Sequence, residues 1–148
     1  MSDYTDFPRY LASKKTVDDR ALNQGVWDAL AESLNDPWDL EILEIGGGIG
    51  TMIERLLERD TLQHVHYTLL DEQPENIVAA KERLPRWADE KNFVWRWEGE
   101  TLILWHMGQV TKVSFLAEDL FDFLARRPAE QQYDLLIAHA FLDLVDIP

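Results

Sequence analysis

Alternate glycines and a carboxylate meet at one point of this chain, in Glu44-Ile45-Gly46-Gly47-Gly48-Ile49-Gly50-Thr51. An apolar, strand-like run (Leu40, Ile42, Leu43, Ile45) ends there and a helix-like run begins. Such a junction can receive a ligand, because a helix N-terminus offers unpaired N–H groups and bare glycine backbone admits close approach. Gly46 opens the turn, Gly48 leaves space for a ligand, and Gly50 lets the following helix sit close on the strand. Asp71 follows about 20 residues beyond the last glycine, where a carboxylate at the end of the next strand can accept hydrogen bonds from ribose hydroxyls. Asp119 follows a later apolar run, with Leu120 and Phe121 beside it. His139, at the end of the last apolar run, is the candidate general base. Each residue also has a bland alternative. The glycines can form a turn that binds nothing, Asp71 can be a turn residue before Pro74, Asp119 can cap a helix, and His139 can simply pack.

The elements that must hold these residues follow from periodicity. Glu41 to Ile45 is strand one, and Thr51 to Arg59 is the first crossover helix with Met52, Ile53, Leu56 and Leu57 inward. His64 to Asp71 is strand two. Pro74 opens a helix to about Arg83, Pro85 interrupts it, and Arg86 to Asn92 forms a short further helix. Phe93 to Trp97, Thr101 to Met107 and Val110 to Ala117 alternate as strands, so an antiparallel meander is expected before strand three, with strand three as its last member. A helix then runs to Arg127, and Tyr133 to His139 is strand four, apolar enough to be covered on both faces. Residues 1–39 read as an N-terminal arm plus a helix from Thr16 to Leu34, and 40–148 as the α/β core of a single domain. Trp95, Trp97 and Trp105 are expected as cross-strand packing partners, and His64 and His66 as ordinary polar residues.

Composition narrows the classes. The chain has 148 residues, no cysteine and a net charge of −14. No thiolate metal site or disulfide can form, and no run approaches the roughly 20 apolar residues of a membrane span. Such an acidic chain repels nucleic acid and anionic lipid, so a small-molecule partner is expected, with no nucleic acid and no membrane. A cytoplasmic location is the default expectation. The apolar edge of strand four (Leu135, Leu136, Ile137, Ala138) invites pairing with a second copy, hence a possible homodimer.

The glycine spacing separates two cofactor classes. A dinucleotide fingerprint, G-x-G-x-x-G from Gly46, needs glycine at position 51, where Thr51 stands. The observed G-x-G-x-G preceded by Glu44, followed by Asp71, Asp119 and the run YDLLIAHAF, resembles the cofactor-binding half of the class I S-adenosylmethionine-dependent methyltransferases. The resemblance implies an α/β, Rossmann-like, doubly wound sheet with strand order 3-2-1-4 here, and S-adenosylmethionine across the carboxyl ends of the strands. It implies Gly46, Gly48 and Gly50 beside the cofactor, Asp71 on the ribose, Asp119 on the adenine with Leu120 near it, and Glu44 near the methionine portion. Strands five to seven of the family are absent, so the chain is expected to be a cofactor-binding fragment that is inactive alone. Ala138-His139-Ala140-Phe141 stands where the signature of nucleobase methylation would lie, which favours an unidentified small-molecule acceptor. The alternative is a non-catalytic nucleotide-binding or interaction module.

Overall fold

The computed structural model describes residues 24–34, 39–59 and 62–138. Its elements are α1 (Gln24–Ser33), β1 (Leu40–Ile45), α2 (Thr51–Glu58), β2 (His64–Asp71), α3 (Pro74–Glu90), β3 (Val94–Glu98), β4 (Thr101–His106), β5 (Gln109–Ala117), α4 (Leu120–Arg126) and β6 (Leu135–Ile137). The N-terminal arm, the start of the expected helix from Thr16, and the end of the expected strand four with His139 lie outside the described residues.

The fold is α/β, consistent with a Rossmann-like build. One mixed sheet carries the strands in the order β3-β4-β5-β2-β1-β6. β5, β2, β1 and β6 run parallel, while β3, β4 and β5 form an antiparallel meander with Leu102 opposite Val113. Toward their carboxyl ends β1 and β2 bury apolar side chains on both faces, as suits central parallel strands.

Helices cover the two faces unequally. On one face, Trp27 of α1, Met52, Ile53, Leu56 and Leu57 of α2, and Ile77, Ala80, Leu84 and Trp87 of α3 pack on Ile42, Val65, Tyr67, Leu69, Leu104 and Val113. On the other, Phe123 of α4 joins Leu43, Ile45 and Leu70. The tryptophans of the meander are expected as cross-strand packing partners, and only Trp105, under Arg96, is in contact across neighbouring strands among the ring contacts seen. The Trp97 ring lies 5.8 Å from Phe115, Trp95 Nε1 donates to Asp89 at 2.8 Å, and Arg96 stacks over Trp105.

Two expectations are corrected. Pro85 does not end a helix, because α3 continues through it to Glu90. A proline inside a helix costs about 3 kcal/mol, but the apolar stripe Ile77, Ala80, Leu84, Trp87, Ala88 is buried on both sides of Pro85. Each large side chain of that stripe contributes roughly 1.5–3 kcal/mol when buried, so packing outweighs the break. Strand four is also not covered on both faces. β6 spans only Leu135–Ile137, pairs with β1 alone among the described residues, and leaves Leu136 59% exposed. Its apolar run reflects one half-buried face and one open one.

Candidate functional site

The carboxyl ends of β1, β2 and β5 meet at one end of the sheet, and the glycine turn spans that end. Gly46, Gly48 and Gly50 all have positive φ (65°, 57° and 86°), and Gly50 is the N-cap of α2. At Gly50 the conformation and the space agree. A Cβ there would meet Leu84 of α3 at 3.3 Å in a backbone region that side chains disfavour. The glycine therefore lets α2 and α3 close on the sheet together. Gly47, not singled out in the sequence, is tighter still: a Cβ would lie 2.7 Å from Leu69 Cγ and 3.1 Å from Glu44 Oε2. The turn lies directly on the side chains of β1 and β2, with no room between.

Backbone bonds sew this end together. Gly47 N–H donates to Leu70 O at 3.0 Å, and Glu118 N–H donates to Asp71 O at 3.0 Å, which fixes the ends of β1 and β5 on either side of β2. Asp71, 7% exposed, is the hub. Its Oδ2 accepts from Gly48 N–H at 2.8 Å, and its Oδ1 accepts from Gln73 N–H at 2.8 Å and Asn76 Nδ2 at 3.2 Å. A carboxylate offers about four acceptor positions. Oδ1 is thus filled, and Oδ2 keeps room for one further donor. Asp71 binds the glycine turn to the start of α3 before it binds anything else.

Asp119 is the N-cap of α4, and both roles read from its position remain open to it. Its Oδ1 accepts from Phe121 N–H at 2.8 Å and Asp122 N–H at 3.1 Å, while Oδ2 is uncommitted among the described residues. Leu120 packs against the small cluster of Leu43, Ile45, Leu70 and Phe123, so it is partly committed to the core, whereas Phe121 is 68% exposed. Beside them Arg126 pairs with Glu118, Nε to Oε1 at 2.6 Å, and this hydrogen bond holds the Glu118 carboxyl below its usual range.

Glu44 lies under the turn rather than at its mouth. It is 4% exposed, and Tyr67 OH donates to its Oε2 at 2.7 Å. Burial pushes its carboxyl up to about 8, against the opposing pull of the Tyr67 hydrogen bond and the charge of Arg55; the charge of Asp71 adds to the rise. Burial also raises the Tyr67 hydroxyl well above its ordinary value. Tyr67 was legible in principle: Val65, Tyr67 and Leu69 share one strand face, and a buried hydroxyl needs a partner. Reaching Glu44 from the sequence, however, requires the β1–β2 register, in which Tyr67 sits opposite Ile42. His139 lies outside the described residues.

The structure thus brings Glu44, the glycine turn and Asp71 into contact, with Asp119 two residues beyond the end of β5. A hollow lies not at this end but at the opposite one, where the parallel strands start, lined by Asp39, His64, His66 and Lys112 among others. His66 there sits 3.8 Å from exposed Glu41, and the described residues contain no group of three metal-ligating side chains.

No family model and no curated protein matches the chain. Among solved structures, it is similar to the plantazolicin methyltransferase BpumL in complex with SAH, with a TM-score of 0.44 and 17% identity over 91% of this chain and 36% of that one. It is also similar to the same methyltransferase with a triazolic desmethylPZN analog and SAH, at a TM-score of 0.44, 18% identity, and 90% and 36% coverage. For the complex with a pentazolic analog and SAH the values are 0.43, 18%, 90% and 47%. The chain therefore spans between about a third and a half of the length of these structures.

Proposed function

We propose that this chain binds S-adenosylmethionine at the carboxyl ends of β1, β2 and β5 and belongs to a methyltransferase acting on a small-molecule acceptor. The observation that carries the reading is the Gly48–Asp71 contact: a glycine turn at a helix N-terminus, held 2.8 Å from an acidic residue at the end of the next strand. That contact leaves one acceptor position on Asp71 Oδ2 for a ribose hydroxyl. The uncommitted Oδ2 of Asp119 accepts from the adenine amine, and exposed Phe121 packs near the purine edge. Thr51 in place of a third spaced glycine disfavours a dinucleotide.

The chemistry asks orientation of the protein more than reactive groups. In methyl transfer the acceptor's lone pair forms the new bond to carbon, the carbon–sulfur bond breaks with its pair going to sulfur, and the acceptor's proton leaves to a base. In this reading His139 takes that proton. The net charge of −14 argues against a nucleic-acid acceptor.

Calorimetric titration with S-adenosylmethionine, S-adenosylhomocysteine and NAD tests the proposal. Binding of the first two and not of NAD is expected. NAD binding, or no binding of either adenosyl compound, would overturn it.

A further inference from the structure

Asp71 is held from two sides, and the two sides differ in kind. Toward the glycine turn, one N–H, that of Gly48, reaches Oδ2 at 2.8 Å. Toward α3, Gln73 N–H at 2.8 Å and Asn76 Nδ2 at 3.2 Å both reach Oδ1. The Gln73 bond is local, an aspartate accepting from the backbone two residues on. The Asn76 bond comes from the first turn of α3, where Pro74 sets the start of the helix and Asn76 N–H donates to Gln73 O at 3.0 Å. Asn76 is 3% exposed and Asp71 7% exposed, so little water is at hand to replace that bond. An amide in this position must present its NH2 end, because its oxygen would face the carboxylate with no proton to share.

We propose that Asn76 is a positioning residue that sets the selectivity of the site: it keeps Asp71 Oδ1 turned to α3, so a ligand's ribose is held through one hydroxyl and not through its neighbouring pair. The inference rests on the reading of Asp71 as the ribose acceptor. Accepting from two adjacent hydroxyls side by side requires both carboxylate oxygens to face the ligand. Here Oδ1 is filled by two donors from the start of α3, and Oδ2 has one position left beside the Gly48 N–H. The first hydroxyl takes that position. The second meets no acceptor on Asp71. A ligand without the second hydroxyl therefore loses nothing at Asp71, whereas a ligand without the first leaves a buried acceptor position unpaired. Asn76 touches no ligand in this arrangement and acts only through the carboxylate that it orients.

Calorimetric titration of the full chain with S-adenosylhomocysteine and with its 2′-deoxy and 3′-deoxy analogues tests this. One analogue should bind roughly ten- to a hundredfold more weakly than the parent compound, the scale of a hydrogen bond to a charged group, and the other within about threefold of it. In Asn76→Ala the carboxylate is free to turn both oxygens outward. The cost of removing the second hydroxyl should then rise, and the two analogues should come within about threefold of each other. A merely structural role for Asn76 would weaken all three ligands by one common factor and leave the difference between the analogues as in wild type. That result, or equal affinities of the two analogues for wild type, overturns this inference and leaves the proposed function standing. Failure of S-adenosylhomocysteine itself to bind overturns both. The wild-type comparison decides the single-hydroxyl reading even if Asn76→Ala does not fold.

Discussion

Glu44 makes the stability of the molecule pH-dependent in a direction opposite to that of a paired surface carboxylate. Its folded value, about 8, lies above the unfolded value of 4.5. The native state therefore holds a proton that the unfolded chain has lost. Stability from this group is full below the unfolded value, falls as pH rises from about 4.5, and levels off beyond about 8, with a slope of at most about 1.4 kcal/mol per pH unit. Glu44→Gln should flatten that slope, so urea unfolding at pH 5 and pH 8 should differ less in the variant than in wild type. An unchanged slope would show that Glu44 does not hold its proton in the folded state. The residues at the site divide by how they are read. The glycines, Asp71 and Asp119 declare themselves through spacing and through their places at the ends of apolar runs. Tyr67, Gly47 and Asn76 do not, because each acts through a neighbour that only the folded register supplies. The count of acceptors on Asp71 likewise needed the structure: the sequence suggested a carboxylate free for two hydroxyls, and three internal donors already occupy it.

At the scale of elements, α2 and α3 are joined by a charge pair as well as by their apolar faces. Arg83 Nε donates to Glu54 Oε1 at 2.6 Å and Nη2 to Oε2 at 3.2 Å, and Glu54 is fully buried. Removing the arginine takes this bidentate partner from a buried carboxylate, a loss of roughly 1–3 kcal/mol. Arg83→Ala should thus lower the urea midpoint clearly, and because α2 carries the glycine turn, ligand affinity should weaken with it. A loss below about 0.5 kcal/mol, within the range of ordinary surface substitutions, would mean that the pair does not tie the helices. The element boundaries show where reading by period succeeds and where it stops. Alternation marks β5, β4 is a short apolar run, and the turns at Gly99 and Gly108 punctuate β3, β4 and β5. At Pro85 a local rule misled, because the helix-breaking tendency of one residue was overridden by the stripe around it. At β6 an apolar run looked like a central strand, although Leu136 lies open.

For the whole molecule, charge sets the terms. A net charge of −14 on 148 residues repels itself, and compaction brings those charges closer. Raising ionic strength toward about 0.15 M, where screening acts over about 8 Å, should raise the thermal midpoint, whereas the half-buried Arg83–Glu54 pair is screened less. A midpoint that falls with salt would mean that surface ion pairs dominate over repulsion. No described helix is long and apolar enough to cross a membrane.

The central claim is that this end of the sheet, at the glycine turn, is where an adenosine-containing ligand binds. Amide chemical-shift mapping with S-adenosylhomocysteine tests it directly. The largest shifts are expected at Gly46 to Gly50, Asp71 and Asp119 to Phe121, with His64, His66 and Lys112 at the opposite end unmoved. Shifts concentrated at that opposite hollow, or no saturable shifts at millimolar ligand, would contradict it.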